Sequence, residues 1–218
     1  MIITRRAFTA ALSLTGLGLL AGFSPMGLID KAMAQSAADV AKPMSLPDMA
    51  LGPANASVTI TEYASMTCPH CAAFTEKVFP KIKSEYIDSG KIRFVFHPIA
   101  FIGPESTAAA SAATAAGDQG KFWPYHDQLF AQQGPENSGT FSTGKLLAIG
   151  RAVGLTDQRF TTAVERGTYE NWIAQQTDQA SRRGVNQTPT VLVDGQMAPE
   201  AATPQGLQAA VDAALAAK

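Results

Sequence analysis

The sequence contains two cysteines, and they stand close together in the motif Cys68-Pro69-His70-Cys71. A pair at this spacing can interconvert between a dithiol and a disulfide, with the thiolate as the nucleophile that drives exchange. Apolar residues recur at helical intervals from Phe74 onwards, so we expect a helix to begin at or just after Cys68. Because a helix N-terminus favours negative charge, this placement predicts a nucleophilic Cys68 near neutral pH.

Other uses of a Cys-x-x-Cys pair fit this sequence less well. A closed zinc site needs four ligands, and His70, His97 and His126 provide no second ligand pair, so we predict no metal. Attachment of a c-type haem needs a histidine directly after the second cysteine, where this chain has Ala72. A purely structural disulfide is a possible alternative in an exported protein. However, closing so small a loop would add only about 2 kcal/mol to the free energy of unfolding. Redox exchange is therefore the favoured chemistry.

Length, composition and charge limit the remaining classes of function. A chain of 218 residues with 46% hydrophobic residues can bury one sizeable core, or one core with an inserted subdomain. A net charge of −1 without a basic face gives no electrostatic reason to expect a nucleic-acid partner. The sequence has no glycine-rich dinucleotide fingerprint and no P-loop, so we predict no bound cofactor.

Residues 1–34 are predicted to form a cleaved export signal. Arg5 and Arg6 precede an apolar stretch at 10–23, and the Ala-Met-Ala sequence at 32–34 is a typical cleavage site. The apolar stretch is short and contains glycine, serine and threonine, which disfavours the alternative of a transmembrane anchor. The arginine pair resembles the twin-arginine export signal, while the general secretory route stays open. Either route leads out of the cytoplasm, where a disulfide can persist.

The elements that position the cysteines form a β-α-β unit in the sequence. Residues 35–57 contain three prolines and no periodicity, so we predict an extended lead-in. An alternating β-branched run from Val58 to Tyr63 predicts a strand, which is followed by a helix from about Cys68 to Ile87. A second strand then runs to Pro98, and the two strands should be parallel with the cysteines at their carboxyl ends.

The second half of the chain changes from helical to β patterns. Residues 103–183 predict four or five helices, each ended by a glycine, and the first of them is alanine-rich. The pattern after Gly184 predicts a short strand, a turn at Asp194, a returning strand and a final helix from Pro204. We therefore expect an α/β fold of β-α-β plus β-β-α, formed by 58–102 and 184–218, with an inserted all-helical subdomain at 103–183.

This order of elements, with the Cys-Pro-His-Cys motif and the Thr188-Pro189 pair, resembles the thioredoxin superfamily. The motif together with the helical insertion is similar to the DsbA group of periplasmic thiol-disulfide oxidoreductases, and the resemblance covers about Val58 to Lys218. It implies an enzyme that introduces disulfides into exported proteins in the periplasm. In that group, Cys68 would be the exposed nucleophile and Cys71 the buried resolving cysteine.

The resemblance also implies roles for the neighbouring residues. Pro69 and His70 would tune the first thiol, and His70 would add positive or hydrogen-bonding character near it. Pro189 would be a cis-proline that faces the cysteines and, with Thr188, contacts the substrate. Glu62 would be a buried acid that assists proton transfer at the second cysteine, although a strand acid in solvent is an equally good interpretation of its sequence position. A trans proline at a strand edge is the alternative for Pro189.

The same resemblance implies the partners of the protein. Its substrates would be reduced or unfolded exported proteins, and a membrane quinone-linked thiol oxidase similar to DsbB would regenerate its disulfide. The lead-in at 35–57 is too short for a folded dimerisation domain, which favours a monomer. Three alternatives stay open: a disulfide isomerase or reductase, which Thr188 favours, a chaperone or binding module that holds clients beside the cysteines, and a dedicated partner in metalloprotein or cytochrome maturation.

Overall fold

A mixed five-stranded sheet organises the protein, and its strand order is β1-β3-β2-β4-β5. The computed structural model describes residues 49–218, so the predicted export signal and most of the lead-in lie outside the described residues. β2 and β3 are parallel, as the β-α-β pattern predicts, and the other neighbouring pairs are antiparallel. The strands are β1 (Ala50–Leu51), β2 (Val58–Ala64), β3 (Ile92–Pro98), β4 (Thr190–Val193) and β5 (Gln196–Met197).

The helical segment after the cysteines is not the single helix that its periodicity predicts. It consists of α1 (Pro69–Lys77), α2 (Phe79–Ile82) and a π-helical turn (Lys83–Ile87). Pro80 explains the interruption, because proline has no N–H to donate and its ring clashes with the carbonyl four residues earlier. The predicted start is correct, since Cys68 is the extended residue directly before α1.

Five helices lie between the two β regions. The alanine-rich α3 is buried from Ala109 to its end at Gly117, because its small side chains allow neighbouring helices to approach it closely. Phe122 and Leu129 form part of the core face of α4, as predicted. The helices are α3 (Gly103–Gly117), α4 (Phe122–Ala131), α5 (Thr143–Ala152), α6 (Gln158–Glu165) and α7 (Glu170–Arg182).

The C-terminal region forms the predicted β-β-α unit with one additional element. Asp194 and Gly195 have φ values of 47° and 80°, and this pair of positive φ values suits the two-residue hairpin turn between β4 and β5. A 3-10 helix (Pro199–Ala202), which the sequence analysis did not predict, precedes α8 (Pro204–Ala216). Thr203 caps α8, because its hydroxyl oxygen accepts a hydrogen bond of 3.1 Å from the backbone N–H of Gly206.

The sheet separates two groups of buried apolar side chains. Alternate residues of β2 and β3, such as Ile60 and Phe94, face the larger group, which also includes side chains of α1 and of the helical insertion. A smaller group lies on the opposite face and includes Tyr63 and Leu192. Glu62 shares the alternation of Ile60, so β2 carries a carboxyl group into an apolar interior. Within residues 49–218, no helix has the length and apolar character needed to span a membrane.

Candidate active site

Both cysteines lie at the N-terminal end of α1. Cys68 has the extended backbone of an N-cap residue, and Pro69 occupies the first helical position, where its missing N–H costs no hydrogen bond. Cys71 lies within the first turn and is fully buried. Cys68 is also buried, with 4% of its surface exposed, so the expectation of an exposed nucleophile is wrong for this structure. The segment before β4 helps to cover it, because the Thr188 carbonyl oxygen lies 3.5 Å from its sulfur.

The Cys68 sulfur lies among several hydrogen-bond donors. A hydrogen bond from the Cys71 thiol makes the largest contribution in lowering the pKa of Cys68, which falls to about 5. The Thr188 side chain and the backbone N–H groups of Cys71 and His70 lower the pKa further, while burial opposes them. Those N–H groups belong to the first helical turn, where the backbone donors have no partners within the helix. Cys68 is therefore a thiolate at neutral pH in the reduced protein.

Thr188 offers two different groups to the same sulfur. Its carbonyl oxygen can accept a hydrogen bond only from the protonated thiol, which donates across 3.5 Å. Its hydroxyl can donate to the thiolate, which lowers the pKa of Cys68. The residue can therefore contact both protonation states. The peptide bond between Thr188 and Pro189 is cis.

The two residues between the cysteines are exposed to solvent. The contribution of His70 to the thiolate in this structure comes from its backbone N–H, which helps to lower the pKa of Cys68. An effect of the imidazole, which the resemblance implies, stays a prediction. Pro69 occupies the first helical position, where it helps to define the start of α1.

Glu62 and Cys71 form a buried acidic pair behind the reactive sulfur. Glu62 is 2% exposed, and its Oε1 has no hydrogen-bond partner among residues 49–218, so the alternative of a solvated strand acid does not hold. Burial raises the pKa of Glu62 well above its usual value, and negative charge on Cys68 raises it further. Burial also raises the pKa of Cys71, with smaller contributions from Cys68 and Glu62. Both groups therefore hold protons more strongly than they would in water.

A small hydroxyl network supports the loop between β2 and Cys68. The Ser65 hydroxyl lies 3.1 Å from that of Thr67 and 2.7 Å from that of Ser106, and all three residues are buried. The backbone N–H of Cys68 donates to the Ser65 carbonyl across 3.2 Å. Ser106 belongs to α3 of the helical insertion and is distant in sequence from this loop. The sequence analysis missed this network, because serines within an alanine-rich helix give no signal of a distant partner.

A groove of about 580 Å³ lies beside the reactive pair. α1 supplies one side of it through residues such as Phe74 and Lys77, and the segment before β4 with the start of α8 supplies the other. Pro189 and Thr188 both line it, and Thr188 also contacts the Cys68 sulfur. Within the described part of the chain, no cluster of three or more histidine, cysteine or acidic residues could hold a metal ion.

Fold and site together define a dithiol protein with a thioredoxin fold. Residues 45–213 match a protein-family model described as Thioredoxin, and the chain belongs to that family. Membership of the thioredoxin superfamily and the predicted fold with its helical insertion are confirmed. Relatives named disulfide bond formation protein D are consistent with the DsbA-like resemblance.

Two relatives and one solved structure illustrate the relationship. The chain is 35% identical over 173 residues to the Na(+)/H(+) antiporter NhaA 1 of Salinispora arenicola, which covers 78% of this chain and 25% of the antiporter. It is 27% identical over 147 residues to Disulfide bond formation protein D of Bacillus subtilis, which covers 66% of each protein. The crystal structure of oxidised BdbD from Bacillus subtilis has a TM-score of 0.72 at 24% identity, covering 78% of this chain and 93% of that chain. The chain thus spans a quarter of the first relative's length and about two thirds of the second's.

Proposed function

We propose that this protein is a thiol-disulfide oxidoreductase that transfers the Cys68–Cys71 disulfide to thiols of exported proteins. The observation that carries the proposal is the difference between the two sulfurs. The pKa of Cys68 is lowered to about 5 at the helix start, whereas burial raises the pKa of Cys71. One sulfur is thereby suited to leave as a thiolate and the other to take up a proton.

The exchange takes place in two steps. A substrate thiolate attacks the Cys68 sulfur, the bond between Cys68 and Cys71 breaks, and Cys71 leaves with the electron pair and takes up a proton. A second substrate thiolate then attacks the substrate sulfur of the mixed disulfide, and Cys68 leaves as a thiolate. The substrate loses two electrons and two protons. The enzyme gains the two electrons and one proton, on Cys71, and the second proton passes to solvent. The low pKa of Cys68 favours the second step, because a stable thiolate is a good leaving group.

Glu62 is the proposed proton donor to Cys71. Burial destabilises the thiolate that Cys71 forms in the first step relative to its neutral thiol, as the raised pKa of Cys71 indicates. Glu62 is buried on the same side of the sheet, and its raised pKa keeps a proton on the carboxyl group at a higher pH than usual. Transfer of that proton would neutralise Cys71 as it leaves, and solvent would later restore the proton to Glu62.

The direction of the exchange is proposed to be oxidation of the substrate. Stabilising the Cys68 thiolate stabilises the reduced enzyme, which makes the disulfide form the stronger oxidant. The groove lined by Thr188 and Pro189 is the proposed position of the substrate segment around its cysteine. Exported proteins in the periplasm are the proposed substrates, and a quinone-linked membrane oxidase similar to DsbB is the proposed source of new disulfides.

The proposed domain organisation and assembly follow from the same reasoning. Residues 58–102 and 184–218 would form the catalytic thioredoxin domain, and 103–183 the helical subdomain that covers it. Residues 1–34 would direct export by the twin-arginine or the general secretory route and then be removed. The mature protein would act as a monomer, and gel filtration tests that part of the proposal.

The reduction potential of the cysteine pair is the direct test of this function. The protein is equilibrated with glutathione buffers, and the fraction of reduced protein is measured by alkylation and mass spectrometry. A potential above about −200 mV supports substrate oxidation, whereas a value near that of thioredoxin, about −270 mV, supports the reductase alternative. A Cys71→Ser variant should accumulate mixed disulfides with disulfide-containing client peptides, because the Cys68 thiolate attacks the client disulfide, one client sulfur leaves as a thiolate, and no Cys71 thiol is present to release the adduct.

A second candidate function is non-catalytic binding of unfolded clients, which the largely apolar groove beside α1 favours. Replacement of Cys68 by serine separates the two functions. A binding protein keeps its effect on client aggregation after this substitution, whereas an oxidoreductase loses its ability to oxidise the client. Client aggregation and client oxidation are therefore measured on the same pair of proteins.

A further inference from the structure

Gln133 lies just beyond α4 in the helical insertion, and its side-chain amide reaches the loop that leads to the reactive pair. Its Nε2 donates one hydrogen bond of 2.9 Å to the Met66 carbonyl and another of 3.2 Å to the Cys68 carbonyl. A glutamine amide has two N–H donors, so one group can satisfy both carbonyls. Gln133 therefore links the insertion to the backbone of the reactive cysteine without contacting its sulfur.

The two carbonyl oxygens that Gln133 binds differ in their other hydrogen-bond partners. Met66 is fully buried, and its carbonyl oxygen would have no other donor among residues 49–218 if the amide were removed. A buried carbonyl that loses its partner is destabilising, so the loop would be expected to move. The Cys68 carbonyl also accepts a hydrogen bond of 3.1 Å from the Ala72 N–H, which begins the hydrogen-bonding pattern of α1.

We propose that Gln133 is a positioning residue that fixes the backbone of Cys68 and keeps the N–H groups of the first helical turn directed at its sulfur. The proposal rests on the proposed function, since it concerns the thiolate that performs the exchange. It gives the helical insertion a role in setting the reactivity of the cysteine pair. Loss of the amide should loosen the loop and weaken hydrogen bonding to the thiolate.

The neighbouring Gln132 provides a matched control. It has the same side chain and is also half-buried, but its amide donates to the Gln128 side chain across 2.8 Å. Methionine is a suitable replacement at either position, because it is similar in length to glutamine and has no N–H donor. The variants Gln133→Met and Gln132→Met therefore differ in whether the hydrogen bonds to the reactive loop are lost.

Titration of the reduced proteins tests the proposal, with thiolate absorbance in the ultraviolet as the readout. Gln133→Met should raise the lower thiol pKa by about half a unit or more, whereas Gln132→Met should leave it unchanged. The equilibrium for reduction of the enzyme disulfide by glutathione, which yields the dithiol enzyme and oxidised glutathione, provides a second readout. In Gln133→Met it should shift toward the disulfide form by about threefold or more, the equivalent of half a pKa unit or more.

These measurements distinguish failure of the positioning role of Gln133 from failure of the proposed function. A low thiol pKa in the wild-type protein that is unchanged in a folded Gln133→Met variant overturns the positioning role. An ordinary alkaline pKa in the wild-type protein would instead argue against the proposed oxidoreductase. If Gln133→Met does not fold, nuclear magnetic resonance of the wild-type Gln133 side-chain amide decides. Its resonances should change with the same midpoint as the thiol, and resonances that stay constant through that titration overturn the proposal.

Discussion

The sulfur of Cys68 lies 3.5 Å from the carbonyl oxygen of Thr188, a residue 120 positions later in the chain. The contact joins the two halves of the thioredoxin fold, because Cys68 precedes α1 and Thr188 precedes β4. It also places a hydroxyl group where it can donate to the thiolate and lower the pKa of Cys68. The residue before Pro189 therefore contributes directly to the chemistry of the first cysteine.

Replacing Thr188 with valine should raise the pKa of Cys68, since valine keeps the shape of the side chain and removes the donor. We expect an increase of up to about one unit and a less oxidising disulfide, both measured on the purified protein. Thr61→Val is the control, because Thr61 is a half-buried threonine of β2 in the same sheet. Equal pKa values in the wild-type protein and Thr188→Val would contradict the proposed effect of the hydroxyl.

Replacing Glu62 with glutamine should change how stability depends on pH. The folded-state pKa of Glu62 is raised, so its contribution to stability is fully present below the unfolded pKa and is lost as the pH rises through the folded pKa. Urea unfolding of the reduced wild-type protein should show this loss above about pH 4.5, near the ordinary pKa of the group, and Glu62→Gln should remove it. Glu76→Gln, on the exposed surface of α1, should keep the wild-type profile.

The same substitution tests the role of Glu62 in proton transfer. Glu62→Gln should slow the first step of substrate oxidation, because glutamine cannot supply a proton to the leaving Cys71. A loss of about a hundredfold or more is expected, because about a hundredfold is the lower end of the contribution of one general acid. Stopped-flow measurement of mixed disulfide formation gives the rate, and a rate equal to that of Glu76→Gln would exclude this role.

Reduction of the cysteine pair should raise the melting temperature at pH 7. The pKa of Cys68 is lowered to about 5 in the folded reduced protein, so its contribution to stability is present above the unfolded pKa of about 9 and is lost as the pH falls through the folded pKa. The advantage of the reduced form should therefore shrink between pH 8 and pH 5. Calorimetry of both forms measures it, and a lower melting temperature after reduction at pH 7 would be evidence against a stabilised thiolate.

Replacing Ser106 with alanine should destabilise the protein by about 1–2 kcal/mol. Its hydroxyl lies 2.7 Å from that of Ser65 in a fully buried position, so the substitution leaves the loop before Cys68 with an incompletely satisfied hydroxyl. Urea unfolding measures the change in the free energy of unfolding. Ser84→Ala is the control, because Ser84 is an exposed serine outside this network, and equal values for the two variants would contradict the prediction.

Local spacing in the sequence was sufficient to predict much of the reactive centre. The cysteine pair, the helix that begins after Cys68 and the parallel strands around it depend on residues that are close in the chain. The break at Pro80 is also a local effect, and the sequence analysis overlooked it although proline within a helix is a recognised cause. Helical periodicity alone cannot reveal such a break, since both segments keep apolar residues on the buried side.

The tertiary structure decided which distant groups meet at the sulfur. Burial of Cys68, the contact with Thr188, the hydroxyl of Ser106 and the amide of Gln133 each join segments that are far apart in the chain. None of them leaves a periodic or compositional signal, because a hydrogen bond depends on the positions of two groups after folding. The sequence by itself thus determined the dithiol and the helix that begins beside it, whereas packing of the insertion and of the segment before β4 determined the surroundings that set its reactivity.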